Sequence, residues 1–192
     1  MIIRSARTKP ASNGRKPVIP AGSSKAGLQL SDLEFTLIIL VFGFSRWIEN
    51  CMDAAGARGL SALDVLVLHT VNHRARGRRL AEICMVLNID DTHLVGYALK
   101  KLIAAGLVAV IRQGRERHYE TTEWGDKACL EYRLVREKYL VGGLGQLGEI
   151  SKEFERVSKF LRTMSALYDQ AGRFATADSY HSHPPPPVRT KR

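Results

Sequence analysis

The segment from Leu80 to Tyr119 decides the fold, and it reads LAEICMVLNIDDTHLVGYALKKLIAAGLVAVIRQGRERHY. Its first part has apolar residues at positions 80, 83, 84 and 87, which is the spacing of a short amphipathic helix. Asn88 is suited to end this helix in the left-handed conformation, and Asp90 or Asp91 is suited to cap the next one. The segment is therefore predicted to begin with two helices joined by a tight turn.

The second helix of this segment is predicted to run from Thr92 to Ala105, because Gly106 is a typical helix stop. The spacing of its apolar residues predicts a buried face made by Val95, Leu99, Leu102 and Ile103. The opposite face has no apolar stripe and is free to contact a ligand or DNA; its residues are Thr92, His93, Gly96, Tyr97, Lys100 and Lys101.

An arginine-rich β-hairpin is predicted directly after this helix. Residues 107–112 have the composition of a strand, a turn is expected at Gln113 and Gly114, and residues 115–119 return as the second strand. Arg115 and Arg117 are two apart on that strand, so they are expected to share one face. Two helices with a tight turn, followed by a hairpin, predict a winged helix-turn-helix.

The net charge of +10 is distributed unevenly along the 192 residues. Residues 1–27 contain six Lys or Arg and no acid, and residues 181–192 add three more basic side chains. Within the predicted folded body, residues 73–118 carry nine Lys or Arg against four Asp or Glu. The predicted winged helix is thus the basic part of the body, which favours a polyanionic partner.

Metal, cofactor and catalytic sites are not expected. His69 and His73 have a helical spacing that suits a metal, but no Cys, Asp or Glu at helical spacing completes the set. Residues 143–148 match the dinucleotide fingerprint G-x-G-x-x-G without the preceding strand it requires, so we interpret them as a hinge between helices. Because the sequence also lacks the common motifs of nucleophilic and metal-dependent catalysis, no enzyme and no cofactor are predicted.

The sequence also favours a cytoplasmic protein. Cys51, Cys84 and Cys129 are widely spaced and continue apolar patterns, which is typical of small core residues in a reducing compartment. The first residues lack the apolar run of a signal peptide. The apolar segment Phe35–Phe44 is about half the length of a membrane-spanning helix, so no membrane partner is expected.

Two helices are predicted ahead of the winged-helix segment. The first is expected to begin at Ser31, with Glu34 completing a capping box, and to end near Ala57. The second is expected to begin at Ser61, where Asp64 completes a similar capping box. The first helix is apolar on so much of its surface that it is expected to be buried between partners.

Two further helices are predicted after the wing. Thr122 is expected to cap the first of them, and the last is expected to run from Ser151 to Phe174. The last helix carries a heptad-like apolar series that is typical of packing along another long helix, here from a second subunit. An ordinary amphipathic helix within a single domain is the alternative. The series is Ile150, Phe154, Val157, Leu161, Met164, Tyr168 and Ala171.

Residues 60–130 resemble the MarR family of bacterial transcription regulators. The resemblance is carried by L-x-x-L-x-x-x-G-L-V at residues 99–108, by the arginine-rich wing, and by Thr122-Glu123-Trp124-Gly125 at the start of the next helix. It implies a mainly α fold with a small β-hairpin wing (α+β), in which a winged helix-turn-helix is embedded in a helical dimerisation domain. The expected boundaries are a disordered basic tail at 1–27, one domain at 28–176 and a Pro-rich basic tail at 177–192; within the domain, the winged helix covers 60–122 and the dimerisation helices 28–59 and 123–176.

This resemblance and the basic winged helix together predict a homodimeric, sequence-specific repressor that binds double-stranded DNA and is nucleoid-associated when bound. Base contacts in the major groove are expected from Thr92, His93, Tyr97 and Lys100, with Gly96 on the same face. The wing is expected to approach the minor groove through Arg115 and Arg117, and Arg112 is also expected to contact DNA. Phosphate contacts are expected from Lys101, Arg78 and Arg79.

Family members bind small aromatic or anionic effectors where the dimerisation helices meet the DNA-binding lobe. The resemblance therefore implies an effector pocket in this chain, lined by Trp47, His69, His73 and Tyr132. The alternative function is a winged-helix module for protein interaction or RNA binding, without base-specific readout of DNA. The salt dependence of binding separates the two, because a DNA reader that neutralises several phosphates loses affinity steeply with salt.

Overall fold

The computed structural model describes residues 24–73, 77–144 and 151–182 of the chain, with side chains described as far as Asp178. These residues form two compact units, one ending at Cys129 and one beginning at Leu130. The elements in chain order are α1 (Lys25–Ala54), α2 (Ala62–Asn72), α3 (Leu80–Leu87), α4 (Thr92–Ala104), β1 (Val108–Gln113), β2 (Glu116–Thr121), α5 (Glu123–Arg136), a π-helical turn (Glu137–Val141), α6 (Gly142–Leu144) and α7 (Ser151–Ser182). The fold is thus mainly α with one antiparallel hairpin, as predicted.

Helix α2 is the centre of the first unit, because it contacts α1, α3, α4 and β2. Its apolar side chains are enclosed on several sides, and full burial of each contributes about 1.5–3 kcal/mol. The side chains of this core that are at most 1% exposed include Val65, Val67, Leu68, Val71, Ile83, Val95, Leu99, Leu102 and Leu107.

The predicted start of α2 and the turn between α3 and α4 are confirmed. Ser61 and Asp64 form the capping box: the Ser61 N–H donates to Asp64 Oδ2 over 2.8 Å, and the Asp64 N–H donates to Ser61 Oγ. Asn88 ends α3 with a φ of 53°, in the left-handed region. Asp91 caps α4, since its carboxylate accepts from the His93 N–H over 2.9 Å. Local sequence therefore fixes the helix-turn-helix.

The predicted start of α1 is wrong. The helix begins at Lys25, and Ser24 caps it by accepting from the Gly27 N–H over 3.0 Å. Ser31 lies inside the helix, where its hydroxyl donates to the Gly27 carbonyl over 3.2 Å. Both serines carry capping chemistry and no proline separates them; Gly27 lies between them but within the first turn, so the helix extends to the earlier serine. Residues 25–27 are helical as a result, and the helix ends at Ala54.

The last helices also differ from their predicted bounds. Thr122 caps α5 as predicted, accepting from the Gly125 N–H over 3.1 Å, but the regular helix ends at Arg136 and a π-helical turn follows before the glycines are reached. Residues 145–150, which hold most of the predicted glycine hinge and the first heptad residue, lie outside the described residues. Helix α7 continues beyond Phe174 to Ser182, so residues 177–182 are helical rather than part of a tail.

Two long helices expose many apolar side chains to solvent in the single chain. In α1 these side chains are 49–65% exposed: Phe35, Ile38, Ile39, Leu40, Val41, Phe42 and Phe44. In α7 they are 46–63% exposed: Phe154, Val157, Phe160, Leu167 and Phe174. Among the described helices, α1 alone is long and apolar enough to span a membrane by length and composition, a test that a helix of a soluble protein can also pass.

Candidate nucleic-acid interface

One face of α4 is fixed in the core. Val95, Ala98, Leu99 and Leu102 are buried, and their spacing follows a single helical stripe. Ile103 was predicted to belong to this face but is 36% exposed, because it lies one step beyond the edge of the stripe. The core thus determines which side of α4 faces outward.

The outward side of α4 presents polar groups of several kinds. Thr92, His93, Tyr97 and Lys100 are exposed, as predicted, and Gly96 is half-buried between them. The Lys100 Nζ lies 5.3 Å from the centroid of the Tyr97 ring, which favours a cation–π contact between the two. The surface therefore combines hydroxyls, an imidazole and an ammonium group, which together can both donate and accept hydrogen bonds.

Lys101 has a different role from Lys100. Its Nζ lies 2.6 Å from Asp64 Oδ2, and the Asp64 side chain is only 5% exposed. That carboxylate also accepts from the backbone N–H and the hydroxyl of Ser61, each over 2.8 Å. Lys101, which was expected to contact phosphate, thus links α4 to the first turn of α2, and its charge is already paired with a carboxylate. The capping pattern identified Asp64, but nothing local in the sequence paired it with a lysine at a separation of 37 residues.

The wing has a tight two-residue turn. Gln113 and Glu116 are paired across the hairpin, so Gly114 and Arg115 form the loop, and Gly114 has a φ of 65°. A glycine in this conformation at the first loop position is typical of a type II′ turn. Arg115 therefore lies at the tip instead of on a strand with Arg117. Arg112 is the direct cross-strand partner of Arg117, so these two share one face.

The three wing arginines are exposed and form no ion pair with the described residues. In contrast, the Arg79 guanidinium forms two ion pairs, with Glu82 Oε1 at 3.1 Å and with Glu116 Oε1 at 3.2 Å. The hydrogen bond to Glu82, followed by the one to Glu116, raises the pKa of Arg79. It connects the start of α3 to the wing, and its charge is already balanced. Arg79 was expected to contact phosphate. It is exposed, but it is already paired with the carboxylates of Glu82 and Glu116.

Arg78 does not reach the surface, contrary to prediction. Its backbone forms an isolated bridge with Tyr119, with reciprocal N–H to carbonyl hydrogen bonds of 3.0 and 2.9 Å. The preceding Gly77 permits this close approach, because a Cβ there would lie 2.8 Å from the His118 Cβ. The Arg78 residue is 7% exposed, and its Nε has no hydrogen-bond partner among the described residues.

The two predicted effector histidines line one cavity of about 190 Å³. Arg78 and the apolar residues Leu66, Val86 and Leu87 also line it. Trp47 is half-buried in α1 and is not among the described residues lining this cavity, and Tyr132 is a buried residue of the second unit. The structure therefore brings together two of the four residues predicted for an effector pocket.

Comparison with known proteins identifies the same domain. Residues 60–125 match the family model described as a winged helix DNA-binding domain. No curated protein matches the chain.

Solved structures share the fold at low sequence identity. The MarR family regulator NMB1585 of Neisseria meningitidis is 18% identical, with 78% of this chain and 98% of that chain covered and a TM-score of 0.56. The transcriptional regulator BldR of Sulfolobus solfataricus is 22% identical, with 73% and 99% covered and a TM-score of 0.58. CouR of Rhodococcus jostii RHA1, solved with p-coumaroyl-CoA, is 18% identical, with 69% and 91% covered and a TM-score of 0.53. Residues 60–125 therefore form a winged helix DNA-binding domain, in a chain that has the fold of MarR family regulators.

Proposed function

We propose that this protein is a transcription regulator that binds double-stranded DNA as a homodimer and reads a pseudo-palindromic operator. The observation that carries the proposal is the division of α4 into a buried stripe and an outer face with Thr92, His93, Tyr97 and Lys100. An α-helix fits the major groove of B-DNA, where side chains of these types donate to or accept from base edges. The buried stripe holds the helix in place for this contact.

The wing supplies the proposed contacts to the minor groove. Arg112, Arg115 and Arg117 are exposed and basic at the end of the β1–β2 hairpin. Narrow A·T-rich minor grooves concentrate negative potential and attract such side chains. Arg79 and Lys101 are proposed to hold the wing and α4 in position, because each is already paired with a carboxylate.

The homodimer is proposed from the apolar side chains that α1 and α7 expose. Soluble monomers rarely expose contiguous apolar patches larger than a few hundred Å², so we infer that a second copy covers these surfaces. The proposed dimerisation helices lie in residues 28–59 and 123–176. Two copies related by two-fold symmetry would place their α4 helices on half-sites about one helical turn of DNA apart.

We further propose that the protein represses transcription in the cytoplasm and that a small-molecule effector releases it from DNA. CouR, which has a similar fold, was solved with p-coumaroyl-CoA, and this supports a ligand-responsive regulator. An effector acts only through its different affinities for the DNA-binding and released states. In this chain it would favour a spacing of the DNA-binding lobes that fits the operator poorly.

Selection of bound sequences from a random duplex pool tests the proposal. The expected result is a two-fold symmetric site, bound roughly a thousandfold or more tightly than random duplex. A pool without sequence enrichment would contradict the proposal and favour a protein-interaction or RNA-binding module.

Substitutions on α4 test which residues read the bases. His93→Ala and Tyr97→Ala are each expected to cost about 1–3 kcal/mol on the selected site and little on random DNA. Lys100→Ala is matched by Lys127→Ala, since Lys127 also lies over an aromatic ring, Trp124, at 5.9 Å, but on α5. Only the α4 variant should weaken operator binding. Equal losses on selected and random DNA for all the α4 variants would remove α4 as the recognition helix.

A further inference from the structure

A cluster of charged side chains joins the wing to α3. Its centre is the carboxylate of Glu116 in β2, whose Oε1 lies 3.2 Å from Arg79 Nη1 and whose Oε2 lies 3.5 Å from His118 Nε2. Arg79 connects it to α3, since the Arg79 Nη2 lies 3.1 Å from Glu82 Oε1. At the other end, His118 Nδ1 lies 3.4 Å from the Gly77 carbonyl oxygen. This wing-base cluster therefore connects the hairpin to α3 and to the segment before α3.

The His118 imidazole stands between two acceptors, the Gly77 carbonyl and the Glu116 carboxylate. Its side chain is only 14% exposed, and Gly77 permits the close approach, because a Cβ at Gly77 would lie 2.8 Å from the His118 Cβ. A neutral imidazole has one N–H and can donate to one of the two acceptors, whereas an imidazolium has two N–H groups. Only the protonated ring donates to both acceptors.

Carboxylates predominate among the charged groups around His118. Because side chains alternate along a strand, Glu116 and Glu120 share the face of β2 that carries His118. A Cβ at Gly77 would lie 2.9 Å from Glu120 Oε1, so this side chain also packs against that segment. With Glu82 and Arg79, the wing-base cluster and its strand neighbour hold three carboxylates and one guanidinium group.

The other cations packed against β2 lie on its opposite face. Arg112 and Arg117 are cross-strand partners there, and Arg78 pairs with Tyr119, which alternates with His118. On α2, His69 and His73 line the cavity with Arg78. A proton on His118 therefore adds a positive charge where negative charges are in excess.

We propose that His118 is a positioning residue for the wing and that the protein takes up a proton at this imidazole when it binds DNA. The protonated ring donates to Glu116 and to the Gly77 carbonyl together, which fixes the wing against the segment before α3. It also offsets the Glu116 carboxylate, which stands between Arg115 and Arg117 in sequence and repels phosphate. The inference rests on the proposed DNA binding and adds its regulation: affinity increases as the pH falls.

The phosphates of the duplex provide the coupling. Arg115 and Arg117 are exposed, so a duplex that they approach brings its negative potential close to the wing-base cluster. A nearby negative charge favours the charged form of an imidazole. Binding free energies are reciprocal, so a duplex that favours the proton on His118 is itself bound more tightly when that proton is present.

The affinity of the full chain for an A·T-rich duplex, measured by fluorescence anisotropy at constant salt, tests the proposal. Between about pH 8 and about pH 6 the affinity of the wild type is expected to rise by about fivefold or more. His118→Gln cannot become charged and should bind weakly at both pH values. His118→Lys is charged at both, so it should bind at both with an affinity close to that of the wild type at the lower pH.

Equal pH responses of the wild type and His118→Gln would overturn the proposal, provided that circular dichroism shows the variant to be folded. His118→Lys keeps the test decisive if His118→Gln does not fold, because a wild-type response in His118→Lys would also overturn it. Glu116→Gln should reduce the response, since the ring then faces an amide instead of a carboxylate. An undiminished response in Glu116→Gln would contradict the role of that carboxylate.

His73→Gln is the matched control. His73 is an exposed histidine at the end of α2 and has no contact with the wing-base cluster among the described contacts, so the variant should keep the wild-type pH response. Loss of the response in His73→Gln would overturn the assignment to His118. His93 on α4 also approaches DNA, but it is present in every one of these proteins, so its own protonation cancels in the comparison.

Calorimetry gives a readout that a purely structural role of His118 would not change. At about pH 6.5, near the ordinary titration range of histidine, the heat of duplex binding by the wild type should differ between two buffers of different ionisation enthalpy, because the buffer supplies the proton. The difference should be smaller for His118→Gln. Equal buffer dependence of the two proteins would overturn proton uptake at this residue.

The outcomes separate this inference from the proposed function. A symmetric operator that is bound without a contribution of His118 to the pH response contradicts the inference alone. Proton uptake at His118 on duplex DNA, without enrichment of any sequence, supports the inference and contradicts the proposed reading of an operator. A folded chain that binds no duplex at either pH contradicts both.

Discussion

The winged helix and residues 35–44 of α1 are both rich in apolar side chains, but these side chains are buried in the winged helix and exposed on α1. The central residues of the winged helix are at most 1% exposed, including Val65, Leu68, Ile83, Leu99 and Leu102. Three large side chains of α1, Phe35, Ile39 and Phe42, are 58–65% exposed. The winged helix thus completes its core within one chain, whereas α1 presents a surface that only another molecule can cover.

The largest effect is expected from placing charges on the exposed surface of α1, which should disrupt the dimer and leave the core of the winged helix intact. The double variant Ile39→Glu with Phe42→Glu places two carboxylates on one helical face, and it is expected to make the protein monomeric in light scattering. Affinity for a two-fold site should fall by roughly 10²- to 10⁴-fold, because the two half-sites are no longer bound together. The winged helix should remain folded, because its core is completed within one chain.

Met85→Glu provides the control for this variant, since it charges an apolar position of α3 that is 75% exposed and so at least as accessible as Ile39 and Phe42. It should leave the oligomeric state unaltered. A double variant that still scatters as a dimer would show that α1 is not the contact.

Gly125→Ala, in contrast, should destabilise the winged helix itself. A Cβ at this position would lie 2.1 Å from the Leu107 carbonyl oxygen, a backbone atom that cannot move aside without shifting β1. Overpacking of this kind is expected to lower the free energy of unfolding by about 3 kcal/mol. Gly96→Ala in α4 is the control, because an added Cβ would meet no atom within 4 Å beyond its neighbours and the backbone of α4, and it should raise stability by up to about 1 kcal/mol. Similar losses in both variants by urea denaturation would contradict this account.

Substitutions at Lys101 and Asp64 should have smaller effects on the free energy of unfolding, and these effects should not be additive. Asp64→Asn weakens both the α2 cap and the ion pair, and it is expected to cost about 1–2 kcal/mol of unfolding free energy. Lys101→Met should cost less, because half of the lysine side chain is exposed. In the double variant the losses should fall short of additivity by about 0.5–1 kcal/mol. Strictly additive losses would mean that the contact does not hold α4 to α2.

The smallest effect is expected in the wing, measured as the salt dependence of DNA binding. Arg115→Ala removes an unpaired charge and should make the slope of log affinity against log salt shallower by about one. Arg79→Ala removes a charge already balanced by Glu82 and Glu116, and it should change the slope less. A larger change for Arg79 would show that DNA displaces its carboxylate partners.

The parts of the fold that local signals determine were predictable from sequence. The cap of α2, the left-handed Asn88, the stop after α4 and the two strands all follow from the residues next to them. The exposed face of α4 was predictable for the same reason, because its apolar stripe defines the opposite side.

The remaining features depend on contacts between distant residues or on competition between similar signals. Arg78 stands in a basic run typical of a surface, yet it is buried where its backbone bridges to Tyr119, a residue 41 positions away. The role of Lys101 depends on its contact with Asp64, which is distant in sequence. Arg115 lies in the turn because the pairing of the two strands differs by one residue from the predicted pairing. Ser24 and Ser31 can each cap a helix, so the sequence around either one does not decide where α1 begins. In the structure the segment between them is helical, and Ser24 is the cap.

The bridge between Arg78 and Tyr119 also has a consequence for local opening of the molecule. These amides are bonded to each other's carbonyls, and Arg78 is buried. Their protons should exchange with deuterium only when the whole first unit unfolds, whereas the amides of Gly114 and Arg115 at the exposed tip should exchange within the shortest labelling times. This exchange pattern would place the base of the wing and the start of α3 in one cooperative unit, and it would leave the tip able to open locally and adjust to the duplex it meets.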